Sequence, residues 1–64
     1  MINHEQFLQF IDDYYHGRYP HQRLGQAFLN VHFPHVSDSY VFHETDDAKA
    51  LDLIESEYVQ DKAA

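Results

Sequence analysis

Apolar residues in the middle of the chain recur with the period of an α-helix. Four of them stand at positions i, i+3, i+4 and i+7, which places their side chains on one helical face. They are Leu24, Ala27, Phe28 and Val31. Pro20 suits the first position of a helix and Pro34 cannot continue one, so we expect the helix to run between them. Gly25 marks either a close approach to the first or third helix or an unimportant position in a frayed first turn.

The pattern before this segment predicts a first helix that begins after Asn3. Asn3 is a favourable N-cap residue, and Gln6 stands three residues later, as in a capping box. The inner stripe consists of Phe7, Phe10 or Ile11, Tyr14 and Tyr15. Gly17 suits the end of the helix, and a link as short as residues 17–19 predicts a helical hairpin of the first two helices.

Residues 36–43 follow a different pattern, because Tyr40 to His43 are residue types that favour extended backbone. This segment is either an extended loop that packs Tyr40 and Phe42 into the core, which we favour, or a strand that pairs with its copy in a second subunit. A third helix begins at Thr45 or Asp46. Its inner stripe consists of Ala50 or Leu51, Ile54 and Tyr58.

These elements predict one all-α domain over residues 1–64. Three helices form it, with the helical hairpin first and the extended segment between helices 2 and 3. A chain of 64 residues without cysteine has little core and no cross-link, so we expect it to form a homo-oligomer, in the simplest case a homodimer.

Charge is distributed unevenly along the chain. The net charge is −7, and eight of the eleven carboxylates lie after Pro34. Such a field repels a phosphate backbone, so duplex DNA is an unfavourable partner. The N-terminal residues show neither the basic segment nor the apolar run of a signal peptide, and no stretch is apolar enough for a membrane span. We therefore expect a cytoplasmic protein with no membrane contact.

Six histidines are the feature that most invites a chemical interpretation. His32 and His35, with Asp38 and His43 nearby, are residue types that bind zinc. Pro34 breaks the helix that would bring His32 and His35 to one face. Surface histidines are therefore the favoured interpretation, with no metal and no cofactor, and binding of a metal by His32, His35 or His43 stays open.

No pair of carboxylates in the sequence has the spacing that acid–base catalysis requires. Asp12 and Asp13 are adjacent, so their side chains point to different helical faces, and the spacing of Glu55 and Glu57 has the same defect. No phosphate-binding glycine loop and no nucleophile motif is present. We expect no enzymatic activity.

Two surfaces are candidates for partner binding. The first, the acidic face, follows the third helix and comprises Asp46, Asp47, Asp52, Glu55, Glu57 and Asp61, with Asp38 and Glu44 on its approach. Carboxylates on a small rigid body can imitate nucleic acid and occupy the basic groove of a DNA- or RNA-handling protein. The alternative is a solvated face that keeps the protein soluble.

The second surface, the Tyr/Arg bend, lies between the first two helices. It comprises Tyr14, Tyr15, Arg18, Tyr19 and Arg23, with His16 and His21. Tyrosine and arginine are typical of protein interfaces and of platforms that stack single-stranded nucleic acid. The alternative is that the tyrosines close the end of the core. Because the chain is acidic, we favour a protein contact over RNA.

Two short stretches resemble small uncharacterised proteins encoded by bacteriophages and proteobacterial genomes. They are Arg23-Leu24-Gly25-Gln26-Ala27-Phe28 with Asn30, and Glu44-Thr45-Asp46-Asp47-Ala48 with Ile54 and Tyr58-Val59. The resemblance implies a phage-like or prophage-derived inhibitor or regulator that binds one protein. The leading prediction is thus a non-enzymatic protein-binding module. A structural homo-oligomer is second and a nucleic-acid-binding regulator third.

Overall fold

The computed structural model describes residues 1–60, and helices dominate that range. The helices are α1 (His4–Tyr15), α2 (Leu24–His32), α3 (Ser39–His43) and α4 (Asp47–Tyr58). Residues 1–60 contain no strand, which confirms the all-α prediction, but four helices replace the three expected. None of these four helices has the length and apolarity that a membrane crossing requires.

The start of α1 follows the predicted capping box. The Asn3 side chain accepts a hydrogen bond from the Gln6 N–H at 2.8 Å, and the Gln6 side chain accepts one from the Asn3 N–H at 3.0 Å. These bonds satisfy two N–H groups that a helix start otherwise leaves unpaired. The chain leaves α1 through Gly17, whose φ of +85° is open to glycine at little cost. Both ends of this helix are therefore as predicted.

The start of α2 differs from the prediction. Pro20 lies in a turn, in which the Gln22 N–H donates to the Tyr19 carbonyl at 3.3 Å, and the helix begins only at Leu24. The link from α1 therefore covers residues 16–23 rather than the short stretch expected. A proline fits the first position of a helix, but its fixed φ fits a turn equally well.

The buried face of α2 is also shifted from the predicted stripe. Leu24, Ala27 and Phe28 are buried as expected, whereas Val31 is 45% exposed and Leu29 is buried instead. The shift arises because α2 packs against α3 as well as against α1 and α4. These neighbours cover Leu29 and leave Val31 open.

Residues 39–43 form the short helix α3, so both predictions for the extended segment are wrong. The Asp38 side chain accepts a hydrogen bond from the Val41 N–H at 3.2 Å, and the Asp38 carbonyl accepts one from the Phe42 N–H at 2.9 Å. This local cap outweighs the weak β preference of the segment. Val41 is buried and Phe42 half-buried, but Tyr40, expected in the core, is 82% exposed.

Gly25 marks the close approach between α2 and α3. A Cβ atom at this position would overlap the carbonyl oxygen of Val41. The predicted close contact is confirmed, but the neighbour is the helix that the sequence pattern did not reveal. Glycine at this position lets two backbones meet directly.

Aromatic rings form the centre of the core around Phe28. Its ring lies 5.3 Å from that of Phe10 and 5.6 Å from that of Tyr58, measured between centroids. Ala50 and Ile54 of α4 are completely buried, which confirms most of the predicted inner stripe of that helix. Such ring pairs add stabilisation beyond the buried area alone.

The two ends of α1 are tied to opposite ends of α4. At one end the Ile2 N–H donates to the Tyr58 carbonyl at 2.9 Å, and the Gln60 N–H donates to the Ile2 carbonyl at 3.0 Å. At the other end the Tyr15 hydroxyl donates to the Asp47 carboxylate at 2.9 Å. Helices α1 and α4 are thus antiparallel.

Candidate functional site

The residues of the predicted acidic face fall into two groups, and the first serves the fold. Asp46 is the N-cap of α4, where its carboxylate accepts hydrogen bonds from the N–H groups of Ala48 and Lys49 at 2.9 and 3.3 Å. Glu44 accepts a hydrogen bond from the Asp46 N–H at 3.1 Å. These carboxylates stabilise the start of a helix, because they satisfy its unpaired N–H groups.

Asp38 has two structural contacts. Besides capping α3, its carboxylate accepts a hydrogen bond of 2.6 Å from the hydroxyl of Tyr58. Burial of that hydroxyl and its bond to Asp38 raise the pKa of Tyr58 to about 12. This contact joins α3 to the last turn of α4.

Asp47 connects the acidic face with the Tyr/Arg bend. Its carboxylate accepts the hydrogen bond from Tyr15, so one residue of each predicted surface meets the other. Burial first, and this hydrogen bond second, raise the pKa of Tyr15 above its ordinary value. The tyrosine therefore stays protonated and continues to donate well above neutral pH.

The second group of acidic residues has no polar partner within the described range. Asp52, Glu55 and Glu57 form no hydrogen bond or ion pair with residues 1–60. Asp52 and Glu55 are three residues apart and neighbours on the helix surface, while Glu57 lies further round α4. Asp61 lies outside the described residues. The acidic patch without contacts in the fold is therefore the exposed Asp52 and the half-buried Glu55, which together cover part of the predicted face.

The tyrosines of the Tyr/Arg bend have mainly structural contacts. The Tyr14 hydroxyl donates to the Gln22 carbonyl at 3.1 Å, and the Tyr19 ring stacks on Phe10 with the centroids 5.8 Å apart. The contacts of Tyr14 and Tyr19 fit the alternative interpretation, in which the tyrosines close the end of the core. Tyr15 is 56% exposed, but its hydroxyl is directed to α4.

The two arginines are exposed, and Arg18 lies on a different side of α1 from Tyr15. Between residues 1 and 60 the one ion pair joins His16 and Asp12, so neither Arg18 nor Arg23 has a carboxylate partner there. Arg18 lines a cleft between α1 and α2 together with Asp13. Viewed down the axis of α1, Asp13 and Tyr15 lie about 160° apart. The Tyr/Arg bend therefore has two separate sides.

The histidines proposed as metal ligands are divided between two clefts. His35 and His43 line a cleft beside α3, whereas His32 lines the cleft between α1 and α2. Within the described part of the chain, no three His, Asp or Glu side chains are grouped to hold a metal ion. Burial lowers the pKa of His32, which favours its neutral form near pH 7.

Val31 and Tyr40 are surface residues that the sequence pattern assigned to the core. Both are apolar or aromatic side chains left uncovered in this structure, and Val31 lines the cleft between α1 and α2. Periodicity alone gives no sign of this, because each occupies a position compatible with an inward face. Asp38, a strong N-cap residue two positions before Tyr40, could have indicated that a helix begins there.

Comparison of the chain with protein-family models, with curated proteins and with solved structures yields no match. The resemblance to small phage and proteobacterial proteins therefore stays a prediction.

Proposed function

We propose that this protein is a non-enzymatic binding protein that docks on a basic surface of a protein partner through Asp52 and Glu55. The observation that supports the proposal is the division of the acidic residues. Asp38, Glu44, Asp46 and Asp47 are engaged in hydrogen bonds of the fold. Asp52 and Glu55 have no such bond within residues 1–60, so both carboxylates remain available to lysine or arginine.

The overall charge favours a basic partner. At −7, the chain attracts a positively charged surface over a distance of about 10 Å at ordinary salt and speeds the encounter. A nucleic acid carries the same sign of charge and is repelled. The basic groove of a DNA- or RNA-handling protein is one surface that fits, since carboxylates there replace phosphates. An inhibitor or regulator of such a protein would act by occupying the groove.

The test uses a displayed library of random dodecapeptides with the immobilised protein as bait. We expect the enriched peptides to be rich in lysine and arginine, and their binding to weaken about fivefold or more with Asp52→Asn/Glu55→Gln. The matched control is Glu5→Gln/Asp12→Asn, which removes the same charge from α1. It should retain most of the binding, because Glu5 and Asp12 lie on a different helix.

Two outcomes would contradict the proposal. Peptides without an excess of basic residues would remove the electrostatic argument. Equal losses with both double variants would show that net charge, and not the patch on α4, determines binding. Raising the salt concentration should weaken the wild-type interaction, as expected for exposed charges.

A homo-oligomer is the second candidate, and Tyr40 supports it. This ring is 82% exposed, and Val36 nearby in the chain is exposed as well. A second copy could cover both, since residues 14–43 contain one carboxylate and two arginines and thus repel a copy least. Sedimentation equilibrium of wild type and Tyr40→Ser tests it, and a monomeric wild type at about 1 mM would exclude it.

A further inference from the structure

The cleft between α1 and α2 has an aromatic floor. Its volume is about 240 Å³, and Phe10 and Tyr19, stacked on each other, form its base. Val31 contributes an exposed aliphatic side chain to the wall. The space is smaller than the 300–1,000 Å³ typical of sites for drug-sized ligands, but it accommodates one amino-acid residue.

The rim of this cleft is rich in hydrogen-bond donors that no described residue uses. The guanidinium of Arg18 has no carboxylate partner in residues 1–60. Gln6 uses its carbonyl oxygen at the cap of α1, so its amide N–H groups remain. Neutral His32 adds one ring N–H, which likewise has no hydrogen-bond partner in that range. A donor-rich rim calls for an acceptor, and a carboxylate is the strongest.

One acidic residue also lines the cleft. Asp13 accepts a hydrogen bond from the Gln9 side chain through Oδ1 at 3.0 Å, which leaves its second oxygen as an acceptor. Because burial keeps His32 neutral near pH 7, Arg18 is the cation and Asp13 the anion of this cleft. A ligand with both a carboxylate and an N–H group matches the pair.

We propose that this cleft binds the C-terminal residue of a peptide. The α-carboxylate pairs with Arg18, the apolar side chain packs on Tyr19 and Val31, and the backbone N–H of the residue donates to Asp13. The three functional groups of the ligand thus meet the three kinds of surface that the cleft presents. The site is separate from Asp52 and Glu55, so the proposal does not depend on a role for α4.

A peptide end suits the cleft better than a free amino acid because the cleft continues along α1. A second hollow is lined by Glu5, Gln6 and Gln9, and it shares both glutamines with the first. The residues that precede the peptide terminus can therefore lie along the helix, with side-chain amides available to their backbone groups. A free amino acid would leave this second hollow unused.

The experiment is a titration followed by NMR, with three probes on the full chain. The probes are acetyl-Gly-Gly-Leu with a free carboxylate, the same peptide as C-terminal amide, and free leucine. We expect the free-acid peptide to shift the side-chain amide signals of Gln6 and Gln9 saturably, with a Kd of about 1 mM or tighter. The C-terminal amide and free leucine should each bind about tenfold more weakly.

Two variants that each lose one positive charge test which arginine binds the carboxylate of the peptide. Arg18→Gln should weaken the free-acid peptide about tenfold and abolish the difference between acid and amide. Arg23→Gln removes an exposed guanidinium that does not line the cleft, and it should bind as wild type does.

Several results would overturn the proposal. If the free-acid peptide and its amide bound equally well, the terminal carboxylate would not be recognised. If the two arginine variants lost affinity equally, Arg18 would not be the residue that binds it. Free leucine binding as tightly as the peptide would reject the peptide end. The absence of a saturable shift up to about 10 mM would reject the site itself. The comparison of probes uses wild-type protein, so it stands even if a variant folds poorly.

Discussion

The contact between α2 and α3 and the outer face of α4 use their side chains in opposite ways. In the first region, Gly25 admits the Val41 carbonyl, and Asp38 caps α3 while it accepts from Tyr58. In the second, Asp52 has no partner among residues 1–60. The difference follows from position along the helices. An aspartate just before a helix finds unpaired N–H groups, whereas one in the middle finds them already bonded.

The largest effect should come from Gly25→Ala. The added methyl group would overlap a backbone oxygen, which cannot rotate away, so α2 and α3 must separate. We expect a loss of about 3 kcal/mol in the free energy of unfolding, even though alanine is the better helix former. Urea denaturation measures it. Gly17→Ala is the control, at about 1 kcal/mol, because φ there is positive but the space is open. Equal losses would contradict the close-contact argument.

Asp38→Ala should cost about 2 kcal/mol. The substitution removes the cap of α3 and leaves the Tyr58 hydroxyl without its acceptor. Asp52→Ala, the same change on the outer face of α4, should alter the free energy of unfolding by less than about 0.5 kcal/mol. Thermal and urea unfolding of both variants provide the measurement. Similar effects in the two would show that α4 uses its carboxylates within the fold after all.

Tyr58→Phe should cost about 1 kcal/mol at pH 8, and this cost should disappear in alkali. Folding raises the pKa of Tyr58 from the ordinary 10.0 to about 12, so the folded state holds the proton more tightly than the unfolded state. That contribution is complete below pH 10 and is lost as the pH rises from 10 towards 12. Urea unfolding of wild type and variant across this range measures the difference.

The control for this experiment is Tyr40→Phe. Tyr40 is exposed and its hydroxyl has no hydrogen-bond partner within the described range, so its removal should leave stability unchanged at each pH. A difference between wild type and Tyr58→Phe that stays constant up to pH 12 would show that the Asp38–Tyr58 bond does not govern the alkaline loss.

The smallest effect belongs to Asp52→Asn/Glu55→Gln. These side chains have no partners within residues 1–60 and repel each other across one helical turn, so the free energy of unfolding should stay within about 0.5 kcal/mol of wild type. The same urea experiment measures it. A loss above about 1 kcal/mol would place these carboxylates in the fold and would weaken the proposed binding role.

The parts of the fold that follow from local rules were predictable. Asn3 and Gln6 form the predicted capping box, and Gly17 takes the expected positive φ, because each feature depends on neighbours within a few residues. The buried positions Ala50 and Ile54 also follow from helical period alone.

The parts that depend on distant neighbours were not predictable. Pro20 permits both a turn and a helix start, and only the packing decides. Val31 is exposed and Leu29 is buried in a helix that packs against α3 as well as α1 and α4, and helical period does not show how many neighbours a helix has. Helix α3 was itself missed, because the strand preference of its residues obscured the Asp38 cap. For the same reason the sequence did not reveal which residues of the two candidate surfaces have contacts within the fold. The sequence shows how many carboxylates and arginines the chain contains, but it does not show the hydrogen bond of Asp47 or the cleft beside Arg18.

The bridge between Ile2 and Val59 has a consequence for the order of folding. It joins positions at opposite ends of the described range, so it closes a far longer loop than the contacts between α2, α3 and α4. Closing a longer loop costs more chain entropy, which must be overcome before its two hydrogen bonds form. The central helices can assemble without it. We therefore expect the bridge between Ile2 and Val59 to form last, and the amide hydrogens of Ile2 and Gln60 to exchange with deuterated solvent before those of the interior.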